Sequence, residues 1–163
     1  MQKMSKTPEA TIVMVPGFRA VSSGYQEMGK LFMEGGFFNQ VKPFELSLNK
    51  IMFNCADFLL YSDGEFNWLW SVQNSVTESD VTPYEIIDFP GGLYATATSI
   101  DSDMESMDAV IFRIKSWLET SGFVIDESRN HQQMTQMIYC LDEIKEGLGY
   151  EQLQIYLPIK KKL

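Results

Sequence analysis

The groups best suited to chemistry in this 163-residue chain are one histidine, two cysteines and a scatter of carboxylates. None stands in a pattern that performs a known reaction. His131 lies in the polar stretch Glu127–Gln133, where a solvent-facing loop histidine is the expected reading. Cys55 and Cys140 form no CxxC pair, so reduced thiols are expected, and no sequence neighbour supplies a base to make Cys140 a nucleophile. There is no HxxxH or clustered Asp/His set for zinc, no GxGxxG, no phosphate loop and no GxSxG elbow. Glu34, Glu45 and Glu65 read as surface acids. No metal or cofactor is expected.

Aromatic side chains are the more distinctive resource: 11 Phe, 7 Tyr and 3 Trp, with 10 Met. Such groups either fill a core or line an adaptable pocket, and only the elements that carry them can decide. Strand alternation sorts them. If Leu153, Ile155, Leu157 and Ile159 face helices, then Gln154, Tyr156 and Pro158 face the other way. The same logic puts Tyr94 on that second face, with Met137 and Tyr139, and makes Leu59 and Tyr61 their counterparts earlier in the chain. Four tyrosines, Tyr61, Tyr94, Tyr139 and Tyr156, are thus expected to converge on a groove. Trp68 and Trp70 carry two readings: packed beneath helices, or forming an aromatic wall of the groove.

The positioning elements repeat. Ile12–Val15, Pro16-Gly17 and Phe18–Ser23 read as a bent strand pair, followed by a helix through Met28, Leu31 and Phe32 that Ser23 and Gln26 are spaced to cap. The segment from Asn39 to Asn54 fits either strand or helix spacing. Phe58–Tyr61 and Phe66–Val72 flank Asp63-Gly64 as a hairpin, and 73–83 reads as a polar linker. Glu85–Phe89, Pro90-Gly91-Gly92 and Leu93–Thr98 then restart the series. A helix follows through Met107, Val110, Ile111, Ile114, Trp117 and Leu118, with β-like runs at Thr135–Cys140 and Leu153–Ile159. The expected fold is α+β: duplicated βαββ units with pseudo-two-fold symmetry, in a largely antiparallel sheet with helices on one face. One domain over residues 1–163 is expected, with halves at about 11–76 and 84–160.

Charge narrows the partners. With 22 acidic against 13 basic residues and a net charge of −9, the chain is a poor nucleic-acid binder, and Lys160-Lys161-Lys162 read as a solvated tail. The acidic field favours cationic ligands or basic partners. No apolar run reaches the roughly 18 residues of a membrane span. The N-terminal stretch is a poor secretory signal, so a cytoplasmic protein is expected.

Three stretches carry a resemblance: Ile87-Asp88-Phe89-Pro90-Gly91-Gly92-Leu93-Tyr94-Ala95, Ser116-Trp117-Leu118 leading to Ser121-Gly122-Phe123, and Leu153-Gln154-Ile155-Tyr156-Leu157-Pro158-Ile159. In order and spacing they resemble the GyrI-like small-molecule-binding domain, which occurs free-standing and as the effector domain of AraC- and MerR-type drug-sensing regulators. The resemblance spans about Ile12 to Ile159. It implies a groove between the repeats that takes aromatic or amphipathic, often cationic, molecules for sensing or sequestration. It also implies a buried glutamate on the penultimate strand; in Gln136-Met137-Ile138-Tyr139 the expected place holds Met137. Two other roles accompany the resemblance: a protein-interaction regulator acting in trans or on gyrase, and a hydrolase of reactive cyclopropane compounds, whose groove glutamate Met137 would replace. Non-catalytic binding is the leading expectation.

Overall fold

The computed structural model describes residues 9–44, 57–138 and 141–163. It opens with β1 (Thr11–Val15) and β2 (Phe18–Ser22), followed by two short helices, α1 (Met28–Phe32) and α2 (Phe37–Val41). The cap expected at Ser23 does not form. Gln26 pairs instead with Phe66 as an isolated bridge, and Gly35-Gly36 divides the helical stretch in two. The hairpin is β3 (Asp57–Ser62) and β4 (Glu65–Ser71), turned at Asp63 (φ 49°) and Gly64 (φ 90°). Positive φ at both central residues gives a turn whose twist matches the strands.

The polar linker contains a helical turn, α3 (Glu78–Val81), with Thr77 and Asp80 capping each other's backbone. The second series has β5 (Glu85–Phe89), β6 (Gly92–Ile100) and α4 (Met104–Thr120). Asp103 caps α4 by accepting from the Ser106 amide at 3.0 Å. A short β7 (Phe123–Ile125), β8 (Gln133–Met137), α5 (Asp142–Leu148) and β9 (Gln152–Lys161) complete the chain.

All described strand pairings are antiparallel, and the sheet runs β1-β6-β9-β8-β3-β4-β2-β5, with β7 added beside β9. The order is symmetric about the β8–β3 seam: β9, β6 and β1 on one side answer β4, β2 and β5 on the other. Each series lends its first strand to the opposite half, since β1 pairs with β6 and β5 with β2. This is the architecture expected of two βαββ units about a pseudo-two-fold axis.

Among the described residues α1, α2 and α4 pack on one face of the sheet. Val110, Ile114 and Leu118 of α4 pack on Ile155, Leu157 and Ile159, while Leu31, Phe37 and Val41 of α1 and α2 pack on Val21, Trp70 and Val72. Each fully buried side chain of this kind contributes about 1.5–3 kcal/mol. The opposite face is concave. Val15 and Phe89, from the two edge strands, join one apolar cluster with Leu60, Leu69, Tyr94, Met134 and Tyr156 from the middle. The curl is fixed where the Pro16-Gly17 and Pro90-Gly91 corners meet; a Cβ at Gly91 would lie 2.1 Å from the Val15 carbonyl. Among the described residues no helix is long and apolar enough to cross a membrane.

Candidate functional site

The concave face carries a continuous aromatic run drawn from both halves. Phe89 of β5 lies 5.1 Å from Phe18 of β2, and Phe18 stacks on Phe58 of β3 at 5.5 Å. Phe58 meets Tyr156 of β9 edge-on at 5.7 Å, and Tyr156 meets Tyr94 of β6 edge-on at 6.1 Å. Edge-on contacts align the positive rim of one ring with the negative face of the next. Polar groups between the rings are paired: Tyr156 donates to Gln136 Oε1 at 2.8 Å, Gln154 donates to Thr96 Oγ1 at 2.6 Å, and Ser22 donates to Asn67 Oδ1 at 2.9 Å. Such pairing is what keeps buried polar atoms affordable.

Over one end lies the loop joining β7 to β8. His131, only 2% exposed, stacks near Tyr94 at 5.9 Å and lies 6.0 Å from Phe89. It is a buried residue, and the solvent-facing position expected from its polar neighbours is corrected: long-range docking on Tyr94 overrides local polarity. Four groups form a directed hydrogen-bond chain. Arg129 Nη2 donates to the Tyr94 hydroxyl (2.7 Å), Tyr94 donates to His131 Nε2 (3.0 Å), and His131 Nδ1 donates to Asn130 Oδ1 (2.8 Å). Arg129 Nη2 also donates to the Gly91 carbonyl, and the Tyr25 hydroxyl holds the Asn130 carbonyl at 2.6 Å. Each proton in this chain has one acceptor, which fixes His131 as the neutral Nδ1–H tautomer.

Burial, with the nearby Arg129 charge second, pushes His131 down to about 4. Burial pushes both the Tyr94 and Tyr156 phenols up to about 12, against a lowering pull from Arg129 on Tyr94. At neutral pH the rings are therefore uncharged, and the formal charge in contact with Tyr94 is the guanidinium, whose Cζ lies 5.2 Å from the Tyr94 ring centre.

The expected groove residues divide. Tyr94 and Tyr156 stand on the concave face. Trp68 and Trp70 lie beneath the helices, with Trp68 stacked on Phe38 at 5.7 Å and donating to Asp57 at 2.7 Å. Leu59 shares that helix-side cluster, and Tyr61, paired with Phe66, follows the same alternation. Met137 sits opposite Leu153 on the helix side and is 43% exposed. The facing assigned to Leu59, Tyr61 and Met137 is thus reversed by one residue. Phe58 and Leu60 point into the concavity from β3, and Met134 and Gln136 do so from β8. Tyr139, with Cys140, lies outside the described residues.

The groove-facing polar group of the penultimate strand is accordingly Gln136 rather than Met137. An amide offers hydrogen bonds without the negative charge of a glutamate. Phe18, Phe58, Phe89, Gln136, Arg129 and His131 were not singled out by alternation; Phe18 and Phe89 adjoin the Pro16-Gly17 and Pro90-Gly91 corners, which is the local signal for those two alone. A separate cavity of about 390 Å³ lies beside α4, lined by Ser99, Ser106, Arg113 and Tyr150 among others, away from the aromatic run. Among the described residues no group of histidine, cysteine and carboxylate side chains is placed to hold a metal.

Neither the protein-family models nor the curated proteins compared with the chain give a match. Solved structures do. A hydrolase from Listeria innocua aligns at 9% identity and TM-score 0.60, over 96% of this chain and 94% of its own. SAV2435, solved bound to tetraphenylphosphonium, aligns at 12% identity and TM-score 0.52, over 93% of each chain. The EcmrR C-terminal domain aligns at 14% identity and TM-score 0.58, over 94% of this chain and 98% of its own. At these identities what is shared is the fold, and it is shared over almost the whole of each chain.

Proposed function

We propose that the chain is a non-catalytic binder of an aromatic or amphipathic small molecule, held on the concave face for sensing or sequestration as in GyrI-like domains. The observation that carries this reading is the Phe89–Phe18–Phe58–Tyr156–Tyr94 run, assembled from both halves around paired polar groups. The fold likeness to a protein solved with an aromatic ligand supports it. The Arg129–His131 loop lies over the Tyr94 end, and the half-exposed rings open to a ligand are Phe18 and Phe58. Gln136, an amide on the penultimate strand, has no carboxylate to act as a base, which favours binding over hydrolysis.

The uncharged dye N-phenyl-1-naphthylamine, followed by its own fluorescence, tests the proposal. Saturable one-site binding is expected. Phe58→Ala and Tyr156→Ala each weaken it at least tenfold, about 1.4 kcal/mol, because each removes a ring from the contact surface. Thermal melts confirm that the variants remain folded, and Phe58→Leu provides a milder truncation. No saturable binding, or unchanged affinity in folded variants at both positions, rejects the proposal.

A further inference from the structure

We propose that the molecule taken by the concave face is an anionic amphipath, an aromatic skeleton bearing a carboxylate or sulfonate, with Arg129 receiving the anionic group. This rests on the binding reading above and reverses the cation preference suggested by the net charge.

Arg129 is held tightly in place. Nη2 is committed to the Gly91 carbonyl and the Tyr94 hydroxyl, both neutral acceptors. Nη1 lies over Gly92, where a Cβ would come within 2.1 Å of it, so the backbone there leaves room for the guanidinium and for little else. Among the described residues no carboxylate lies within ion-pair distance of Arg129. Of the two acids in its own loop, Asp126 is turned to Ser128 at 2.7 Å and Lys160 at 3.4 Å, and Glu127 is exposed and makes no described ion pair with it. Arg113, by contrast, has Glu9 at 3.4 Å.

Three guanidinium donors, on Nε and Nη1, consequently have no protein acceptor among the described residues. They are not sealed in: the described buried side-chain polar atom without a partner is Trp70 Nε1, on the other face of the sheet. A half-buried cation with free donors, beside an aromatic surface, matches the two halves of an amphipathic anion. The rings run on from Tyr94 through Tyr156 to Phe58 with centroid spacings of 6.1 and 5.7 Å, which is the extent of a fused or two-ring skeleton. The neighbouring groups do not oppose this assignment. His131 and the two phenols are uncharged at neutral pH, so they neither compete for the anion nor neutralise Arg129. The net charge of −9 acts over longer range, where salt screens it beyond about 8 Å, whereas contact with Arg129 is local.

Three probes separate charge from shape: 1-anilinonaphthalene-8-sulfonate, its uncharged parent N-phenyl-1-naphthylamine, and tetraphenylphosphonium. The sulfonate is expected to bind at least tenfold more tightly than the parent, with the cation weakest. In Arg129→Gln the sulfonate-to-parent affinity ratio falls to near one, and in Arg129→Lys it is intermediate, since charge is kept while the planar donors are lost. If Arg129 only fastens the loop, both naphthyl probes change together and the ratio stays at its wild-type value, which overturns the proposal. Equal affinities in the wild type, or tightest binding of the cation, also overturn it. Binding of the parent that Tyr156→Ala weakens, without any sulfonate advantage, removes this inference and leaves the binding function standing. Saturation by no probe removes both. Should Arg129→Gln fail to fold, the Arg129→Lys ratio decides.

Discussion

Replacing Gly91 with alanine is expected to destabilise the fold by roughly 3–5 kcal/mol and to lower the melting temperature by about 10 °C. Gly91 has φ 68°, in the left-handed region where a Cβ alone costs about 1–2 kcal/mol. The larger part comes from its neighbours. A Cβ there would lie 2.1 Å from the Val15 carbonyl oxygen, 2.6 Å from the Pro16 carbonyl carbon and 2.8 Å from the Gly17 nitrogen. All three are backbone atoms of the opposing corner and cannot rotate away, so the two Pro-Gly corners must part. That movement also displaces the Gly91 carbonyl that holds Arg129. Gly149 is the internal control: φ is 78°, yet nothing lies within 4 Å of a Cβ placed there. Gly149→Ala is expected to cost only about 1 kcal/mol. Urea melts of the two variants measure the difference, and equal losses would mean that the corners are not in close contact.

Acidification should loosen the fold through His131. Its ordinary value is 6.5, and burial holds it at about 4 in the folded chain. Above pH 6.5 neither state carries the proton and the full stability is present. As pH falls from 6.5 toward 4, the unfolded chain binds a proton that the folded chain refuses, so stability declines by up to about 3 kcal/mol. Below 4 both states are protonated and this contribution is flat. The groups facing His131 explain the refusal: Tyr94 has its hydroxyl proton directed at Nε2, Arg129 adds positive charge nearby, and Phe89 offers no acceptor. Asp80 and Asp126, held below the usual carboxylate range by hydrogen bonds with Thr77 and Ser128, act at lower pH than this window. Unfolding free energies measured from pH 7 to 4.5 should fall in the wild type and much less in His131→Gln. Parallel profiles would show that His131 titrates normally.

Much of the architecture was legible because it rests on local signals. The Asp63-Gly64 turn, the apolar stripe of α4 and the two Pro-Gly corners each declare themselves within a few residues, and their repetition exposes the duplicated order of the sheet. Facing was legible only where alternation carried contrast. In β6 and β9, small or aliphatic residues alternate with Tyr94, Thr96, Gln154 and Tyr156, and the phase emerges correctly. In β3 the run Phe58-Leu59-Leu60-Tyr61 is apolar on both faces, because helices cover one side and the curled sheet encloses the other. Nothing in such a run marks the phase, and aligning it with Tyr139 shifted it by one residue. The first helix was legible through Met28, Leu31 and Phe32 with its stop at Gly35-Gly36, whereas the five-residue α2 beyond that stop is too short to show a helical period. Arg129 and His131 were the least legible of all. Their burial depends on Gly91 and Tyr94, more than thirty residues away, and their own neighbours are polar.

The most direct test of the central claim is where a bound aromatic molecule sits. Side-chain ring and methyl NMR shifts, followed while N-phenyl-1-naphthylamine is titrated, distinguish the two faces of the sheet. The concave-face account predicts that Phe18, Phe58, Tyr94, Met134 and Tyr156 shift with one saturation curve, accompanied by His131, which contacts Tyr94. Shifts confined to Trp68, Trp70, Phe32 and Phe38 on the helix side would contradict it.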